Sequence, residues 1–365
     1  MRRLGRVDVT AARAAGARWL TVLLLAGCLA GGAAEAAGAS SPLEGRAVWL
    51  GRPAGTGTPQ QLLAEASAAH VRTLFVKAAD GSAPEPGFTA ALTGTLRAAG
   101  IRVCGWVFVY GLNPDAEANA AVAAARAGAE CLVVDAEGQY DSRYGSAQRY
   151  VHEVRGALGA RVPIGLAGQA EVLEHPKFPY SVFLGPGGFN IDMPQLYWRE
   201  LGLSVTGAFK VAIAQNAWYG RPLAPVGQLF NGVDSGEVVQ FARAAASFGA
   251  SGFSLFDLES SSAGALASEL AAKVGARRAV HAPAAIRPGA DGDEVVWAQE
   301  HLNGAGANLP VGGFYGAQTA RAVARFQRRH GLGPSGILDP RTWRALLRVH
   351  PRVPSWAAAP PQSAM

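Results

Sequence analysis

The chain has 365 residues, of which 49% are hydrophobic and 16% charged, and it carries a formal net charge of +6 with three cysteines. Soluble domains usually have about 25% charged residues. The apolar content excludes a disordered chain, and so few cysteines exclude a scaffold built from disulfides. This length predicts two domains, or one large domain with a smaller module.

Residues 1–28 predict an export signal. Five arginines precede a short apolar run that is too short for a stable membrane span. The segment 25–28, LAGC, resembles the bacterial lipobox, which implies acylation of Cys28 and a lipid anchor at the outer face of the membrane. Cleavage near residues 34–36, which would release a secreted protein, is the alternative. We expect residues 29–44 to form a flexible tether.

Much of the positive charge belongs to this leader. Without residues 1–28 the formal net charge falls from +6 to +2. A strongly basic domain is the electrostatic signature of nucleic-acid binding. Because the remaining charge is small, we expect no nucleic-acid partner.

From residue 45 to 275, eight apolar runs alternate with Ala-rich stretches that are long enough for helices. Such runs are typical of parallel strands covered on both faces, and eight of them predict an α/β fold of the (β/α)8 TIM-barrel type. A doubly wound open sheet is the alternative, but no glycine-rich phosphate loop follows the first run. The predicted strands are 47–50, 73–76, 103–109, 131–134, 163–166, 193–197, 226–230 and 253–256.

Two cysteines, Cys104 and Cys131, lie inside apolar runs. Each is predicted to be a small buried core residue. A disulfide is the alternative if the two runs are adjacent strands in an oxidising compartment. Neither cysteine has a histidine or a second cysteine at metal-ligand spacing, so we predict no metal site and no cofactor.

The fourth run ends in two acids, Asp135 and Glu137. Residues i and i+2 of a strand point the same way, and the carboxyl-terminal ends of barrel strands form the active-site face. Two carboxyls held close in a low-dielectric mouth cannot both ionise cheaply, so one pKa is expected to rise. Glycoside hydrolysis uses this division between a proton donor and a charged partner. A pair that only caps a loop or a helix is the structural alternative.

The other strand ends combine aromatic and polar residues. Aromatic rings suit the apolar faces of sugars, and polar groups suit their hydroxyls. We predict that a salt bridge holds Lys77 to Asp80 or Asp135 rather than leaving it to form a Schiff base. The predicted substrate-binding residues are Lys77, Asp80, Trp106, Tyr110, Gln195, Tyr197, Trp198 and Asp257.

The Asp-x-Glu on the fourth strand resembles the lysozyme-like glycoside hydrolases of family 25 and related bacterial glycosidases. This resemblance implies that Glu137 donates the proton and that Asp135 orients the substrate or stabilises an oxocarbenium-like centre, through an N-acetyl group. The motifs at 175–179 and 193–198 also resemble a group of bacterial envelope proteins. The first strand, 47–50, lacks the Asp usual in family 25, which favours a degenerate barrel that binds glycan without cutting it.

Residues 286–349 resemble the three-helix bacterial peptidoglycan-binding domain, in the blocks 289–302, 313–327 and 331–346. The resemblance implies that peptidoglycan is the partner. Gln299 and Gln327 are predicted to tie turns to helices rather than to contact a ligand. Eight arginines against five acids predict a positive face that suits wall peptides or acidic wall polymers, and a solvated helix face is the equal alternative. Residues 276–285 are predicted to be a linker and residues 350–365 a loose tail.

Together these features predict an exported, cell-wall-associated protein that binds peptidoglycan through its C-terminal module. Its barrel is predicted to hydrolyse a glycosidic bond in a wall glycan. The alternative is an envelope protein whose barrel and module only bind glycan. Both predictions place the protein in the cell envelope, lipid-anchored or secreted.

Overall fold

A computed structural model describes residues 41–260 and 283–357. The predicted export signal with Cys28, most of the tether, part of the linker and residues 358–365 lie outside the described residues. Within them, no helix is both long enough and apolar enough to cross a bilayer.

The first domain is a closed barrel of eight parallel strands, which confirms the predicted fold. The sheet order is β1-β9-β8-β7-β6-β5-β4-β2, and β1 pairs with β2 to close it. A two-residue strand, β3, adds an antiparallel extension to β2 that the sequence analysis missed. The strands are β1 Arg46–Leu50, β2 Thr73–Asp80, β3 Ala83–Pro84, β4 Arg102–Val109, β5 Cys131–Ala136, β6 Ile164–Gln169, β7 Ile191–Gln195, β8 Val226–Gln228 and β9 Phe253–Phe256.

Helices cover the outside of the barrel and build the module that follows it. Their starts follow local chemistry, since Thr58 and Asp234 form capping boxes at the first turns of α1 and α7. The barrel helices are α1 Pro59–Ala68, α2 Ala90–Ala98, α3 Pro114–Arg126, α4 Tyr144–Leu158, α5 Tyr180–Leu184, α6 Val205–Asn216 and α7 Ser235–Ser247. The module helices are α8 Asp293–Gly304, α9 Ala317–Arg329 and α10 Pro340–Leu346.

The barrel interior is filled by large apolar side chains, and its lower end is closed by Leu43. This residue is 2% exposed and packs with the interior cluster, so the domain includes part of the segment 29–44 that was predicted to be tether. Gly165 makes room for Met193, because a Cβ on Gly165 would lie in contact with the thioether sulfur. The burial of Leu43 was not visible in the sequence, since a single leucine in a Ser/Pro-rich segment has no periodicity.

A disulfide joins Cys104 and Cys131. The two residues are register partners on the neighbouring strands β4 and β5, with Cα atoms 4.6 Å apart. The structure therefore selects the alternative to two free core thiols. Parallel pairing of strands next to each other in the barrel is what brings the two sulfurs together.

The module docks on the barrel through a buried carboxylate. Asp293, at the start of α8, accepts hydrogen bonds from the Ser181 amide at 2.7 Å, from the Ser181 hydroxyl at 2.6 Å and from the Tyr219 hydroxyl at 2.9 Å. The indole of Trp297 donates to the Trp218 carbonyl at 2.8 Å. These contacts join the two domains through polar groups that are removed from water.

Part of the predicted loose tail is packed against the barrel. Trp356 lies with its ring centroid 4.5 Å from that of Tyr144, and its amide donates to the Gln148 side chain. Gln148 in turn donates to the Pro354 carbonyl. The loose-tail prediction is therefore wrong for residues 350–357, because an aromatic contact and backbone hydrogen bonds hold this segment on α4.

Candidate active site

The carboxyl-terminal ends of the barrel strands bring several predicted site residues together. Side chains alternate along each strand between the interior and the helical layer. Three strands turn apolar residues into the barrel, namely Phe75, Val133 and Met193. Two residues further along these strands are Lys77, Asp135 and Gln195, so the same alternation places three polar groups at the barrel mouth.

Gln195 holds the two predicted catalytic acids together. Its Nε2 donates to Asp135 Oδ1 at 2.8 Å and to Glu137 Oε1 at 3.2 Å. Asp135 lies within β5 and is 8% exposed, whereas Glu137 follows the strand and is half-buried. Glu137 is therefore the carboxyl that a ligand in the mouth can reach, and Asp135 lies beneath it.

The environment of Asp135 favours its neutral form. Burial raises the pKa of Asp135 well above its ordinary value, and repulsion from Glu137 raises it further. The charge of Lys77 and the hydrogen bond from Gln195 lower this pKa by less. The two largest causes therefore favour the protonated form of Asp135 beside the more exposed Glu137.

A second polar cluster joins Lys77, Asp80 and Tyr110. Lys77 Nζ lies 2.8 Å from Asp80 Oδ2, and the Tyr110 hydroxyl donates to Asp80 Oδ1 at 2.6 Å. Partial burial works to raise the pKa of Asp80, but the hydrogen bonds from Lys77 and Tyr110 lower it overall. The same hydrogen bond, with burial, raises the pKa of Tyr110 to about 12. Lys77 thus pairs with Asp80, one of the two partners predicted for it.

Glu117 holds the loop that follows β4, and the sequence analysis missed it. This residue is 2% exposed and accepts from four consecutive backbone amides, those of Tyr110, Gly111, Leu112 and Asn113, at 3.0–3.2 Å. Asn113 also caps α3, so a capping residue followed by an acid in the first turn was the available signal. The contact fixes the backbone of Tyr110 and with it one side of the mouth.

Aromatic rings form the wall of the mouth. Trp106 is nearly buried, donates its indole N–H to the Leu50 carbonyl at 2.9 Å, and lies under Lys77 Nζ at 5.1 Å from the ring centroid. Tyr197 is half-buried and contacts Phe256, with centroids 6.3 Å apart. The rings of Trp106 and Tyr197 both lie near the polar groups, and their contact with a substrate stays a prediction.

The predicted sugar contact of Trp198 is wrong. Trp198 is 1% exposed, stacks on Phe241 with centroids 5.4 Å apart, and donates to Glu237 Oε1 at 3.1 Å. Its neighbour Tyr197 points to the mouth, so alternation sends Trp198 to the helical layer. The prediction assigned both Tyr197 and Trp198 to the ligand, although only one of two successive residues can face it.

The end of β9 supplies one predicted residue and one that was missed. Asp257 is half-buried and lies close enough to Tyr197 to contribute to the raised pKa of that tyrosine, which burial dominates. Glu259 accepts from the amides of Gly51 and Arg52 at 2.9 and 2.7 Å. The chain after β1 is therefore held by an acid from the turn that follows β9.

The two module glutamines tie turns to helices, as predicted. Gln299 Oε1 accepts from the amides of Gly312 and Gly313, and its Nε2 donates to the Phe314 carbonyl. Gln327 does the same for the turn at Gly336. With their polar atoms engaged inside the module, both side chains have a structural role.

Within residues 41–260 and 283–357, no group of three or more His, Cys, Asp or Glu side chains is arranged to hold a metal ion. Lys77 and Trp106 lie within the last four residues of their strands. The other predicted barrel residues at the mouth are Asp80, Tyr110, Asp135, Glu137, Gln195, Tyr197 and Asp257. Among the described residues, the structure places Trp198 elsewhere.

Comparison with protein families identifies the module. Residues 291–346 match the family described as "Putative peptidoglycan binding domain". A peptidoglycan-binding protein from Clostridioides difficile is 37% identical over 18% of this chain, with a TM-score of 0.18, and this chain spans 42% of that protein's length. The C-terminal region is thus a domain of the peptidoglycan-binding family. No curated protein matches the chain.

Solved structures similar to the barrel include a chitinase and a spore cortex-lytic enzyme. A family GH18 chitinase from Cycas revoluta has 9% identity and a TM-score of 0.47, covering 62% of this chain and 98% of the chitinase. The spore cortex-lytic enzyme SleL of Bacillus megaterium has 10% identity and a TM-score of 0.45, covering 64% of this chain and 75% of the enzyme. The resemblance to family 25 stays a prediction.

Proposed function

We propose that the barrel hydrolyses a glycosidic bond in a cell-wall glycan and that the module holds the protein on peptidoglycan. The observation that carries this proposal is the pair Asp135 and Glu137, held by the single amide of Gln195 at the open end of the barrel. Glycoside hydrolysis needs a carboxyl that protonates the leaving oxygen and a second one that supports the developing positive charge.

The roles of the two acids follow from their accessibility. Glu137 is the residue that can meet the glycosidic oxygen, and it gives a proton to that oxygen as the bond to the anomeric carbon breaks. Burial and repulsion from Glu137 raise the pKa of Asp135, which favours a neutral carboxyl that can orient an acetamido group of the sugar by a hydrogen bond. Water then attacks the anomeric carbon and gives a proton to the Glu137 carboxylate, which completes the hydrolysis and restores the acid form of Glu137.

The aromatic and polar groups around the pair support a sugar ligand. The half-buried Tyr197 offers an aromatic face, which matches the C–H faces of pyranose rings, and the nearly buried Trp106 supports the wall beneath Lys77. Asp80 and Tyr110 offer a carboxylate and a hydroxyl beside them. The half-buried Asp257 adds a further acceptor on the opposite strand. This mixture is typical of carbohydrate sites.

The module and the predicted leader support the wall as the site of action. A peptidoglycan-binding domain at residues 291–346 supports attachment to the wall. We propose that residues 1–28 direct export and that Cys28 is acylated, with residues 276–285 linking barrel and module. Metabolic labelling with radioactive palmitate tests the anchor, and a protein that incorporates no label would be secreted instead.

The hydrolysis is tested with purified protein and isolated sacculi. We expect release of reducing ends by the wild type and a loss of about 10²–10⁴-fold in rate for Glu137→Gln, because the isostere keeps the shape but cannot give a proton. Glu65→Gln, an exposed acid on α1, is the matched control and should keep the wild-type rate. Absence of release on several types of wall would contradict the proposal.

A non-catalytic glycan-binding barrel is the second candidate. It is favoured by the end of β1, where Gly51 and Arg52 are held by Glu259 and no acid projects from that strand. Binding of sacculi without release of reducing ends, unchanged by Glu137→Gln, would support it. The two candidates share the mouth and differ only in the outcome of this assay.

A further inference from the structure

The docked module presents a strongly positive surface to solvent. Within residues 286–349, all of which the structure describes, three of the five acids are buried on α8, namely Asp293, Glu294 and Glu300. Asp339 is half-buried at the cap of α10, and Asp291 is the one exposed acid. All eight arginines of the module are exposed: Arg287, Arg321, Arg325, Arg328, Arg329, Arg341, Arg344 and Arg348. Folding therefore turns a modest positive excess in the sequence into a surface that carries almost no negative charge.

Half of these arginines lie on one side of α9. Because residues three and four apart are neighbours on a helix, the four side chains cover an arc of about 100° and a length of about 12 Å. We call them the basic stripe, which consists of Arg321, Arg325, Arg328 and Arg329. The opposite side of α9, with Val323 and Phe326, is buried. The basic stripe therefore takes no part in the core of the module.

The arginines of the basic stripe lack the acidic partners that exposed arginines have on the barrel. There, Arg149 pairs with Asp115 and Arg199 pairs with Glu237. Within the described part of the chain, none of the four stripe arginines forms an ion pair, and α9 itself contains no acid. Like charges three or four residues apart repel and destabilise a helix, and Arg325 has three other arginines within that range. A bound polyanion would relieve this repulsion.

The composition of the basic stripe selects among polyanions. The module contains no lysine, and the planar guanidinium of arginine forms paired hydrogen bonds with phosphate. The other residues on this side of α9 are Ala317, Gln318 and Ala324, so the side has no aromatic ring on which a base or a pyranose could stack. It also has no apolar side chain larger than alanine that could insert into a bilayer. These features favour a flexible chain of phosphodiesters over a nucleic acid, an acidic polysaccharide or a membrane.

We infer that the basic stripe binds a linear polyol phosphate polymer of the cell envelope. Several phosphates contact the four guanidinium groups at once and release their counterions, so the affinity falls as the salt concentration rises. This partner is a different polymer from the peptidoglycan for which the matched family is named. The choice of an envelope polymer rests on the proposed location at the wall, whereas the charge of the surface does not.

The test is calorimetric titration of the purified chain with an oligomer of glycerol phosphate at two salt concentrations. The double variant Arg325→Gln/Arg328→Gln removes two charges from the basic stripe and keeps residues of similar helix propensity. We expect it to bind about tenfold or more weakly than the wild type and to depend less on salt, because fewer counterions are released. The matched control is Arg126→Gln/Arg161→Gln, which removes two exposed charges from the barrel and should change the affinity by less than about twofold.

Three further probes of the same surface are polygalacturonate, oligothymidylate and vesicles of phosphatidylglycerol. We expect each of them to bind more weakly than the glycerol phosphate oligomer. Tighter or equal binding would overturn the inference in favour of an acidic polysaccharide, a nucleic acid or a membrane, respectively. Equal losses in the two double variants would overturn it because net charge alone would then explain the attraction, and absence of binding at low salt would leave the stripe a solvated helix face. Loss of hydrolysis at the mouth, or of the lipid anchor, would alter none of these affinities.

Discussion

The barrel mouth and the junction between barrel and module both contain buried carboxyls, but the two regions differ in what surrounds these groups. At the mouth, Asp135 shares one amide donor with Glu137, and the second carboxyl is partly open to solvent. At the junction, Asp293 is fully buried and accepts from both polar groups of Ser181 and from Tyr219.

This difference separates the proposed active site from a structural contact. The oxygens of Asp293 are occupied by barrel donors, so no ligand can approach them and the hydrogen bonds contribute to docking. At the mouth, Asp135 and Glu137 share one donor, the side-chain amide of Gln195, and a ligand can reach Glu137. A buried acid with a raised pKa is therefore informative only together with its accessibility.

The largest expected effect comes from removing the proton of Asp135. For Asp135→Asn we expect the rate on sacculi to fall by about 10²-fold or more. The native state of the wild type binds this proton more tightly than the unfolded chain, so its stability falls as the pH rises above about 4. Asparagine does not ionise, so the variant should melt at a higher temperature than the wild type at pH 8 and at a similar one at pH 4. If Asp135→Asn is as active as the wild type, or less stable than the wild type at pH 8, then Asp135 does not differ from Asp293 in the way proposed.

Breaking the contact between barrel and module is expected to lower the free energy of unfolding rather than the rate of hydrolysis. Asp293→Ala leaves the donors of Ser181 and Tyr219 unpaired, and we expect a loss of about 3–5 kcal/mol in the free energy of unfolding. Denaturant unfolding measures this loss. The exposed Asp291→Ala is the control and should lose less than about 1 kcal/mol. A similar loss in both variants would mean that Asp293 is not what holds the module on the barrel.

A third effect, which depends on pH, sharpens the comparison. Burial raises the pKa of Glu300, on α8, to about 9, and both of its carboxyl oxygens lack a partner among the described residues. Between about pH 4.5 and 9 the folded state holds this proton and the unfolded chain does not, so wild-type stability falls by up to about 1.4 kcal/mol per pH unit. Glu300→Gln should remove this dependence.

Urea unfolding of wild type and Glu300→Gln at pH 5, 7 and 8 measures the dependence on Glu300. Burial lowers the pKa of His301 to about 4, and this change has the opposite sign, adding stability as the pH rises from about 4 to 6.5. It acts in both proteins and cancels in their difference. Parallel pH profiles for the two proteins would show that Glu300 ionises without cost in the folded state.

Periodic features of the chain were predictable from the sequence. All eight barrel strands were predicted, and β9 has the predicted bounds, because parallel strands buried on both faces are continuous apolar runs. The positions of Asp135 and Glu137 at a strand end followed from the same pattern. The two-residue strand β3 was missed, since it is too short to show any periodicity.

Contacts between distant segments were not predictable in the same way. Glu259 caps the chain after β1 from 207 residues away, and no local pattern announces it. Asp293 was visible only as a polar residue at a helix start, although its partners lie on α5 and beside β8. Trp198 was predicted wrongly for a different reason. Side-chain alternation places Trp198 on the face opposite to Tyr197, but β7 ends at Gln195 and the two aromatic residues were interpreted as one surface.

The docking of the module sets the distance between attachment and mouth. A module on a free linker would let the barrel sweep a volume that grows with linker length. Here Asp293 and Trp297 fasten the module to the barrel, so the offset from the anchoring surface to Glu137 is a property of the folded body. The distance from the anchoring point to the mouth is therefore fixed. The barrel can reach only a region of the polymer that is about as large as the protein itself.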